Sequence, residues 1–463
     1  MAKAKTAFVC NSCGGEHRKW QGQCDFCQAW NTLSEIRLTS AKSDNPSRSH
    51  SYSGVISEVT NLSAVSIEET QRISSGFAEL DRVLGGGLVP GSTLLLGGQP
   101  GAGKSTLLLQ VINKLAANYK VLYVTGEESL QQVALRAKRL NVGASDFSLL
   151  AEVDILKVLA AAETQQPQIV VIDSIQVMFH PDISAAAGGV AQVRECAALM
   201  TRFAKLQDVV LIMVGHVTKD GLLAGPKVLE HMIDCSLMLE SGVDSRYRTL
   251  RSHKNRFGAV NELGVFAMSG GGLREISNPS AIFLARGDVD SAGSVVVVVW
   301  EGSRPLLIEL QALVDDSVLP NPRRLALGLE QNRLAMLLAI LHRHGGVHIG
   351  AQDVFINAVG GVKITETAAD LAILLAIHSS FRNRPLSREL VVFGEVGLSG
   401  EVRPVLNGQE RLKEAAKHGY HFAIVGKANR PKKEIDGMRV IAVSNISEAL
   451  QAAFALPTGV LSE

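Results

Sequence analysis

The clearest chemical pattern in this sequence is a glycine-rich segment that fits the phosphate-loop pattern GxxxxGK[ST] in full, Gly98-Gln-Pro-Gly-Ala-Gly103-Lys104-Ser105. Its glycines let successive backbone N–H groups turn toward phosphate oxygens, and the helix that follows adds the partial positive charge of its N-terminus. The lysine can bridge the β and γ phosphates, and the serine hydroxyl can ligate Mg2+. We therefore predict a site for ATP and Mg2+ with Ser105 as a magnesium ligand. The predicted nucleotide contacts are Gly98, Gly101, Gly103, Lys104, Ser105 and Thr106.

Carboxylates follow two other apolar runs and can complete this site. Asp173 follows the run Ile169–Ile172, so we predict that it holds the magnesium through water. Glu127 and Glu128 follow the run Val121–Val124, where a carboxylate can orient the attacking water. An acidic pair at a helix N-terminus is also favoured by the helix dipole alone. Both interpretations of the pair stay open, and they are compatible with each other.

Four of the six cysteines form two CxxC pairs near the N-terminus, Cys10, Cys13, Cys24 and Cys27. Two such turns can surround one ion with four thiolates, which is the usual arrangement of a structural zinc site. A disulfide or a redox pair is the alternative, and it fits poorly with a chain that lacks an export signal. A catalytic zinc is disfavoured because four thiolates leave no ligand position open. We therefore predict one structural Zn2+, on which the folding of so short a segment depends.

The elements that must position the nucleotide site are short apolar runs that alternate with helical patterns. Four of these runs have the length and composition of strands buried on both faces: Thr93–Leu96, Val121–Val124, Ile169–Ile172 and Val209–Val214. Such strands form parallel sheets covered by helices, and their carboxyl ends meet at one edge of the sheet. The predicted core is therefore an α/β domain with the nucleotide at that edge.

Changes in composition along the chain predict three domains and one linker. A serine-rich stretch without apolar periodicity separates the first two domains, and the composition changes again near Asn278-Pro279. The last region contains a strand-like run at Val295–Val299 and helical patterns at Gln331–Leu341 and Thr367–Ile377. The predicted boundaries are a four-cysteine ribbon at residues 1–35, a linker at 36–58, an ATPase domain at 59–284 and a further domain at 285–463.

Composition excludes some classes of protein and leaves others open. The 463 residues are 46% hydrophobic, which excludes a wholly disordered chain. Lys and Arg total 46 against 45 Asp and Glu, so any anionic partner must be held by a local basic cluster. The uncharged stretch Val83–Gly103 contains eight glycines and two prolines, which argues against a membrane span. With no apolar signal region at the N-terminus, we expect a cytoplasmic protein without a membrane partner.

One local basic cluster stands out, at residues 246–256, where five cations occur in eleven residues without an acid. If this segment is extended, Arg246, Arg248, Lys254 and Arg256 share one face by the two-residue alternation of a strand. A face so charged needs an anion nearby. A phosphate group is one candidate, and an exposed edge strand among scattered carboxylates is the other.

In their order along the chain, these motifs resemble the bacterial RadA (Sms) family of DNA repair proteins over essentially the whole length. The resemblance rests on the four-cysteine ribbon and on four segments, GGQPGAGKST, GEES, VVIDSIQ and KNRFG (Lys254–Gly258). It implies an α/β fold class, with a RecA-like P-loop ATPase core, a small N-terminal zinc ribbon and a C-terminal Lon-protease-like α+β domain. It also implies a DNA-dependent ATPase that assembles as a homo-oligomeric ring, a hexamer, and acts on recombination intermediates.

The resemblance also assigns roles to individual residues. Glu127 takes the position of the glutamate that activates water, and His216 takes that of the residue that senses the γ-phosphate. Lys254 and Arg256 are expected to reach a γ-phosphate across a subunit interface. DNA, especially single-stranded or branched DNA, is expected at two loops rich in small residues, 180–190 and 217–227. Their cations are Arg194, Lys219 and Lys227, and the RecA recombinase is a possible protein partner.

The C-terminal region resembles the proteolytic domain of Lon, in Gly394–Pro404 and in the stretch Val359–Ile377. The position that matches the catalytic serine of Lon is Ala368, and the position that matches its lysine is Gln409. Without a nucleophile or an amine base, covalent catalysis has no agent there. We therefore expect a scaffold for ring assembly, with a basic surface for DNA at Arg382, Arg384 and Arg388.

Three histidines of the same region, His342, His344 and His348, flank a Gly-Gly turn without an acidic partner, which favours exposed imidazoles over a metal site. The function predicted for the whole chain is an ATP hydrolase that drives branch migration and strand exchange in DNA repair. Two alternatives are a nucleotide-switched DNA-binding module without translocation and an ATP-dependent protease.

Overall fold

The computed structural model describes residues 5–10, 16–17, 19–26, 28–38, 71–142, 147–215, 229–241, 246–284, 291–318 and 320–457. Several residues named above lie outside these ranges: Cys13, Cys27, His216, Lys219, Lys227 and most of the predicted linker 36–58. The chain divides into two compact units, Met1–Ser241 with Ser245–Ile276, and Gly242–Asp244 with Ser277–Glu463. None of the helices within the described ranges has the length and apolar character needed to cross a bilayer.

The N-terminal ribbon is a three-stranded antiparallel sheet with the strand order β2-β1-β3. Its strands are β1 (Lys5–Cys10), β2 (Glu16–His17) and β3 (Leu33–Leu38). Among the described residues, its core contains Cys10, Cys24 and Leu33, with Phe8 packed against them. β3 continues past the predicted end of the ribbon at residue 35, because it pairs with β1 as far as Leu38.

The rest of the first unit is built on a nine-stranded sheet with the order β12-β11-β10-β9-β4-β8-β7-β5-β6. Six neighbouring strands are parallel, which confirms the predicted sheet type. The four runs predicted as buried strands are β4, β5, β7 and β8. The six strands are β4 (Thr93–Gly98), β5 (Val121–Thr125), β6 (Ser148–Ala151), β7 (Ile169–Asp173), β8 (Val210–Val214) and β9 (Cys235–Ser241).

Helices cover both faces of this sheet. In the described ranges they are α1 (Ala78–Leu84), α2 (Lys104–Leu115), α3 (Leu130–Arg139), α4 (Ile155–Gln165) and α5 (Val190–Leu206). Alternate residues of one strand enter two separate cores. Leu94 and Leu96 join the core that contains the apolar residues of α2, whereas Leu95 joins the core that contains those of α4 and α5. Burial on both faces explains why these strands lack the polar alternation of a half-exposed sheet.

Three antiparallel strands extend the sheet beyond β9: β10 (Tyr247–Asn255), β11 (Leu263–Ser269) and β12 (Gly272–Glu275). The register of β10 against β9 shifts between Ser252 and Lys254. This irregularity interrupts the two-residue alternation, so the predicted common face of Arg246, Arg248, Lys254 and Arg256 is wrong. Arg248 is buried, whereas Arg256 lies beyond the end of the strand and is half-exposed.

The second unit has a mixed seven-stranded sheet with the order β15-β16-β14-β13-β17-β20-β21. These strands are β13 (Ser294–Glu301), β14 (Arg304–Asp316), β15 (Arg324–Leu327), β16 (Gln352–Ala358), β17 (Leu390–Phe393), β20 (Phe422–Gly426) and β21 (Arg439–Val443). A separate hairpin joins β18 (Glu395–Val396) and β19 (Val402–Arg403). The helices of the second unit in the described ranges are α6 (Ser280–Phe283), α7 (Gln331–Gly345), α8 (Asp370–Phe381), α9 (Gly408–Lys417) and α10 (Ile446–Phe454).

Both helices predicted in this region are present, with shifted ends. α7 extends to Gly345, and the pattern that begins at Thr367 starts as one turn of 3-10 helix before α8 begins at Asp370. The unit starts before the predicted boundary at residue 285 because α6 belongs to its core. The Ser280 hydroxyl accepts a hydrogen bond from the backbone N–H of Leu307 at 3.2 Å.

Candidate nucleotide site

The phosphate loop connects β4 to α2, as its sequence predicted. Gly98, Gly101 and Gly103 all have positive φ, at 153°, 80° and 105°. A Cβ at Gly98 would lie 2.4 Å from the carbonyl oxygen of Leu239, and one at Gly103 would lie 2.6 Å from Cε of Met268. Glycine is therefore required at Gly98 by its conformation and by the backbone of β9, and at Gly103 by its conformation, because the flexible end of Met268 can move aside.

Lys104 lies in the first turn of α2, with its side chain buried. Its Nζ donates hydrogen bonds to the backbone carbonyls of Gly98 at 2.8 Å and Gln99 at 3.1 Å. Burial lowers the pKa of Lys104, and the carboxylates of Asp173 and Glu127 oppose that shift. A buried ammonium group at a helix N-terminus, bonded to two loop carbonyls, suits an anionic ligand such as a triphosphate. Ser105 and Thr106 follow it in the same turn and are half-buried.

Asp173 is the last residue of β7, and a tyrosine from the neighbouring strand fixes one of its oxygens. The phenol of Tyr123 in β5 donates a hydrogen bond of 2.6 Å to Oδ2 of Asp173. Burial, followed by the charge of Asp173, raises the pKa of the Tyr123 phenol well above its usual range. The phenol therefore stays protonated and acts as the donor in this pair.

The structure separates the roles of the two adjacent glutamates. Glu127 accepts a hydrogen bond from the hydroxyl of Ser174, the residue after Asp173. Glu128 instead forms an ion pair with Arg136 of α3. Of the two glutamates, Glu127 is the one whose charge raises the pKa of Lys104, against the effect of burial.

The antiparallel strands β10–β12 support the phosphate loop from behind. Nε of Arg248 donates a 2.8 Å hydrogen bond to the carbonyl oxygen of Ala102, within the loop. The side-chain amide of Gln110 in α2 bonds to both the N–H and the carbonyl of Leu273, at 2.9 and 3.2 Å. The sequence predicts an anionic partner for Arg248, as it does for the other cations of residues 246–256. No local signal indicated that its partner is a backbone carbonyl 146 residues away.

Lys254 and Arg256 are bound within their own chain, away from the phosphate loop. Nζ of Lys254 donates to the backbone carbonyls of Glu230 and Ile233. Burial and the neighbouring charge of Arg256 lower the pKa of Lys254. Arg256 pairs with buried Asp234 at 2.9 Å. This chain therefore brings together Lys104, Asp173 and Glu127, and it does not place Lys254 or Arg256 with them.

Of the predicted DNA contacts, Arg194 lies within the described residues, half-buried in the second turn of α5. Lys219 and Lys227 lie outside them, as does His216. The first predicted loop, 180–190, is described, and a buried glutamine holds it. The side-chain amide of Gln192 donates to the carbonyls of His180, Ile183 and Ala185 at 3.0–3.3 Å and accepts from the N–H of His180 at 2.7 Å.

The ribbon brings Cys10 and Cys24 into one small core, where they are 0% and 1% exposed. The imidazole of His17 lies 3.4 Å from Sγ of Cys24. The part of this core that lies within the described residues is small, and a small core needs further cross-links to stabilise a fold, so the donor set fits a structural metal. Since Cys13 and Cys27 lie outside the described residues, no group of three metal ligands is found within the described ranges. By contrast, burial raises the pKa of the Cys196 and Cys235 thiols to about 12, which makes them poor ligands.

In the second unit, Ala368 is fully buried and Gln409 is exposed at the start of α9. An ion pair between a buried arginine and a half-buried glutamate lies in the same region: Arg411 of α9 bonds to both carboxylate oxygens of Glu366 and to the carbonyl of Val298 at 2.7 Å. Of the three histidines, His342 and His348 stack edge to face with ring centroids 4.8 Å apart. His344 bonds to the carbonyl of Leu398 at 3.0 Å.

Three family models match separate parts of the chain. The AAA domain model matches residues 57–222, the rubredoxin metal binding domain model matches 8–35, and the model of subunit ChlI of Mg-chelatase matches 330–429. The first two cover the phosphate loop with its carboxylates and the four cysteines, respectively.

Curated relatives match the chain from end to end. The DNA repair protein RadA of Haemophilus influenzae is 63% identical over 452 residues, which are 97% of this chain and 99% of that protein. The protein of the same name from Escherichia coli K12 is 62% identical over 456 residues, with 97% and 99% coverage. That from Bacillus subtilis is 44% identical over 460 residues, with 98% and 99% coverage.

Proposed function

The chain belongs to the family of the DNA repair protein RadA, and on that premise we propose that it is a DNA-dependent ATPase motor that processes recombination intermediates by branch migration and strand exchange. Its substrates in this proposal are ATP and single-stranded or branched DNA. The chain is a DNA repair protein with an AAA-type ATPase domain.

The observation that carries the proposal is the convergence of Lys104, Asp173 and Glu127 on one phosphate loop. When ATP binds, Nζ of Lys104 exchanges the loop carbonyls for phosphate oxygens. The negative charge of the phosphates then opposes the burial that lowers the pKa of Lys104. Ser105 and Asp173 hold Mg2+, which neutralises charge on the phosphates when bound. Glu127 orients the water that attacks the γ-phosphate.

DNA binds in this proposal through the segments that follow β7 and β8. Loop 180–190 follows the strand that ends in Asp173, and Gln192 ties its backbone to α5. Arg194, Lys219 and Lys227 contact phosphates more than bases, because the chain is only 5% aromatic. Because this loop follows the strand that ends in Asp173, contact of the loop with DNA can be linked to hydrolysis at Asp173.

The remaining parts serve assembly. The C-terminal domain is a ring scaffold, since Ala368 and Gln409 supply neither nucleophile nor base. Lys254 and Arg256 act on the nucleotide of a neighbouring subunit, as cations of this kind can accelerate phosphoryl transfer by about 10³–10⁵. Four cysteines hold Zn2+ in the ribbon, and the RecA recombinase is a partner.

The test is the ATPase rate with and without single-stranded DNA, beside branch migration of a synthetic forked substrate. We expect DNA to stimulate hydrolysis and Lys104→Ala to abolish both activities while the thermal unfolding midpoint is retained. Hydrolysis without DNA stimulation or migration would support a nucleotide-switched module instead. Casein degradation that depends on ATP would support a protease.

A further inference from the structure

The two acidic residues of the nucleotide site are each bound by a buried hydroxyl from the opposite strand. β5 supplies Tyr123 and leads into Glu127, while β7 ends in Asp173 and leads into Ser174. Tyr123 donates to Asp173, and Ser174 donates to Glu127. The two hydrogen bonds therefore cross in opposite directions between the same two strand ends.

Strand register explains how these groups meet. β5 and β7 are parallel, with Tyr123 opposite Val171 and Thr125 opposite Asp173. Tyr123 thus reaches Asp173 along the diagonal, a distance that aromatic side chains can span within one face of a sheet. A backbone hydrogen bond of 2.9 Å from Gly126 N–H to the Asp173 carbonyl closes the strand ends together.

Both hydroxyl donors are shielded from water. Tyr123 is 1% exposed and Ser174 is 0% exposed. The acceptors are less shielded, since Asp173 is half-buried and Glu127 is exposed. A hydrogen bond to a carboxylate is stronger than one between neutral groups, and it restricts the rotation of the acid. Tyr123 holds Oδ2 of Asp173, and Oδ1 does not take part in that hydrogen bond.

We propose that Tyr123 and Ser174 are positioning residues of this site: Tyr123 aims Asp173 at the magnesium shell, and Ser174 aims Glu127 at the attacking water. The inference rests on the proposed ATPase function and deepens it. It makes different predictions for the two residues, because one carboxylate acts on the metal and the other on the nucleophile.

Tyr123→Phe removes a single hydroxyl and keeps the ring in its core. We expect the Mg2+ concentration needed for half-maximal binding of a fluorescent ATP analogue to rise about tenfold, since partners of metal-binding acids typically contribute 10–100-fold to metal affinity. Binding measured in EDTA should not change. Tyr119→Phe is the matched control, because Tyr119 lies in the same unit and its phenol is not bonded to either acid.

Ser174→Ala should lower kcat for ATP about tenfold or more while KM and the Mg2+ midpoint stay at the wild-type values. Ser236→Ala is its control, because Ser236 is a buried serine of the same sheet whose hydroxyl has no hydrogen-bond partner within the described residues. Thermal unfolding midpoints of all four variants identify any loss of folding.

The outcomes separate this inference from the proposed function. The inference would be overturned if Tyr123→Phe keeps the wild-type Mg2+ midpoint and Ser174→Ala keeps the wild-type kcat, provided that Lys104→Ala abolishes hydrolysis. If Ser174→Ala does not fold, Tyr123→Phe decides the inference by its Mg2+ midpoint alone. If the wild-type protein itself hydrolyses no ATP, the proposed function fails, and the Mg2+-dependent binding of the analogue still tests Tyr123.

Discussion

Single side chains in this protein often bind backbone groups rather than the opposite charges that their sequence context suggests. Arg248 belongs to a run of cations, yet its buried guanidinium bonds to the Ala102 carbonyl inside the phosphate loop. Lys254, from the same run, bonds to the carbonyls of Glu230 and Ile233. An isolated buried cation is costly, and several carbonyl dipoles can offset that cost.

Arg248 is therefore expected to support nucleotide binding. Arg248→Met leaves the Ala102 carbonyl without this donor, and an unsatisfied buried group costs about 1–3 kcal/mol. We expect the Kd for ATP to rise about tenfold, since 1.4 kcal/mol corresponds to that factor. Titration with a fluorescent ATP analogue measures it.

The control for that change is Arg274→Met, the same substitution at an exposed position of β12. It should leave the affinity for ATP at the wild-type value. Equal affinities for the two variants would mean that the loop keeps its conformation without Arg248.

At the scale of whole elements, the ribbon and the large sheet differ in what stabilises them. The sheet has two extensive hydrophobic cores, one on each face. Within the described part of the ribbon, the buried core is limited to Cys10, Cys24 and Leu33. Metal binding typically contributes about 10–16 kcal/mol to the folding of small zinc modules, far more than burial of so few residues.

Cys24→Ala should therefore release one zinc ion per chain and unfold the ribbon, while basal ATPase activity stays largely in place because the ribbon has its own core. Elemental analysis and limited proteolysis measure the two effects. Cys196→Ala, which removes a buried thiol elsewhere in the unit, should keep the metal. Unchanged zinc content in Cys24→Ala would exclude the four-cysteine site.

At the scale of the whole molecule, the KNRFG segment raises the question of which site it serves. Within one chain, Lys254 and Arg256 hold the turn that follows residues 217–228 and the buried Asp234. If Lys254 and Arg256 act on the nucleotide of a neighbouring subunit, the subunits must form a head-to-tail ring, in which each interface combines residues of two subunits.

Mixing two inactive variants tests that arrangement. Lys254→Ala and Lys104→Ala should each lose DNA-stimulated hydrolysis, and rings assembled from equal amounts should regain about one quarter of the intact interfaces by random combination. The ATPase rate of the mixture, compared with that of each variant alone, measures the recovery. No recovery would mean that Lys254 acts within its own chain, on the turn at Glu230 and Ile233.

The sequence by itself determined the phosphate loop, the parallel strands that flank it and the positions of Asp173 and Glu127 at strand ends. These features are local, since a glycine pattern or an apolar run depends on residues adjacent in the chain. For residues 246–256 the sequence supported only a conditional argument, that an extended segment would place its cations on one face. The register shift at Ser252–Lys254 could not be predicted, because a bulge depends on the partner strand.

Only the tertiary structure decided which buried hydroxyl groups bind the two acidic residues of the site. Glu127 and Glu128 have the same chemistry, and the family resemblance assigns the water-activating position to Glu127. In the structure their partners differ, since Glu127 is bound by Ser174 and Glu128 by Arg136. In the sequence, Tyr123 has no feature that separates it from the apolar strand residues around it. In the fold, β7 lies beside β5 and brings Asp173, 50 residues away, to within 2.6 Å of the phenol. Such pairs depend on strand order, register and side-chain direction together, and these are properties of the folded sheet rather than of any one segment.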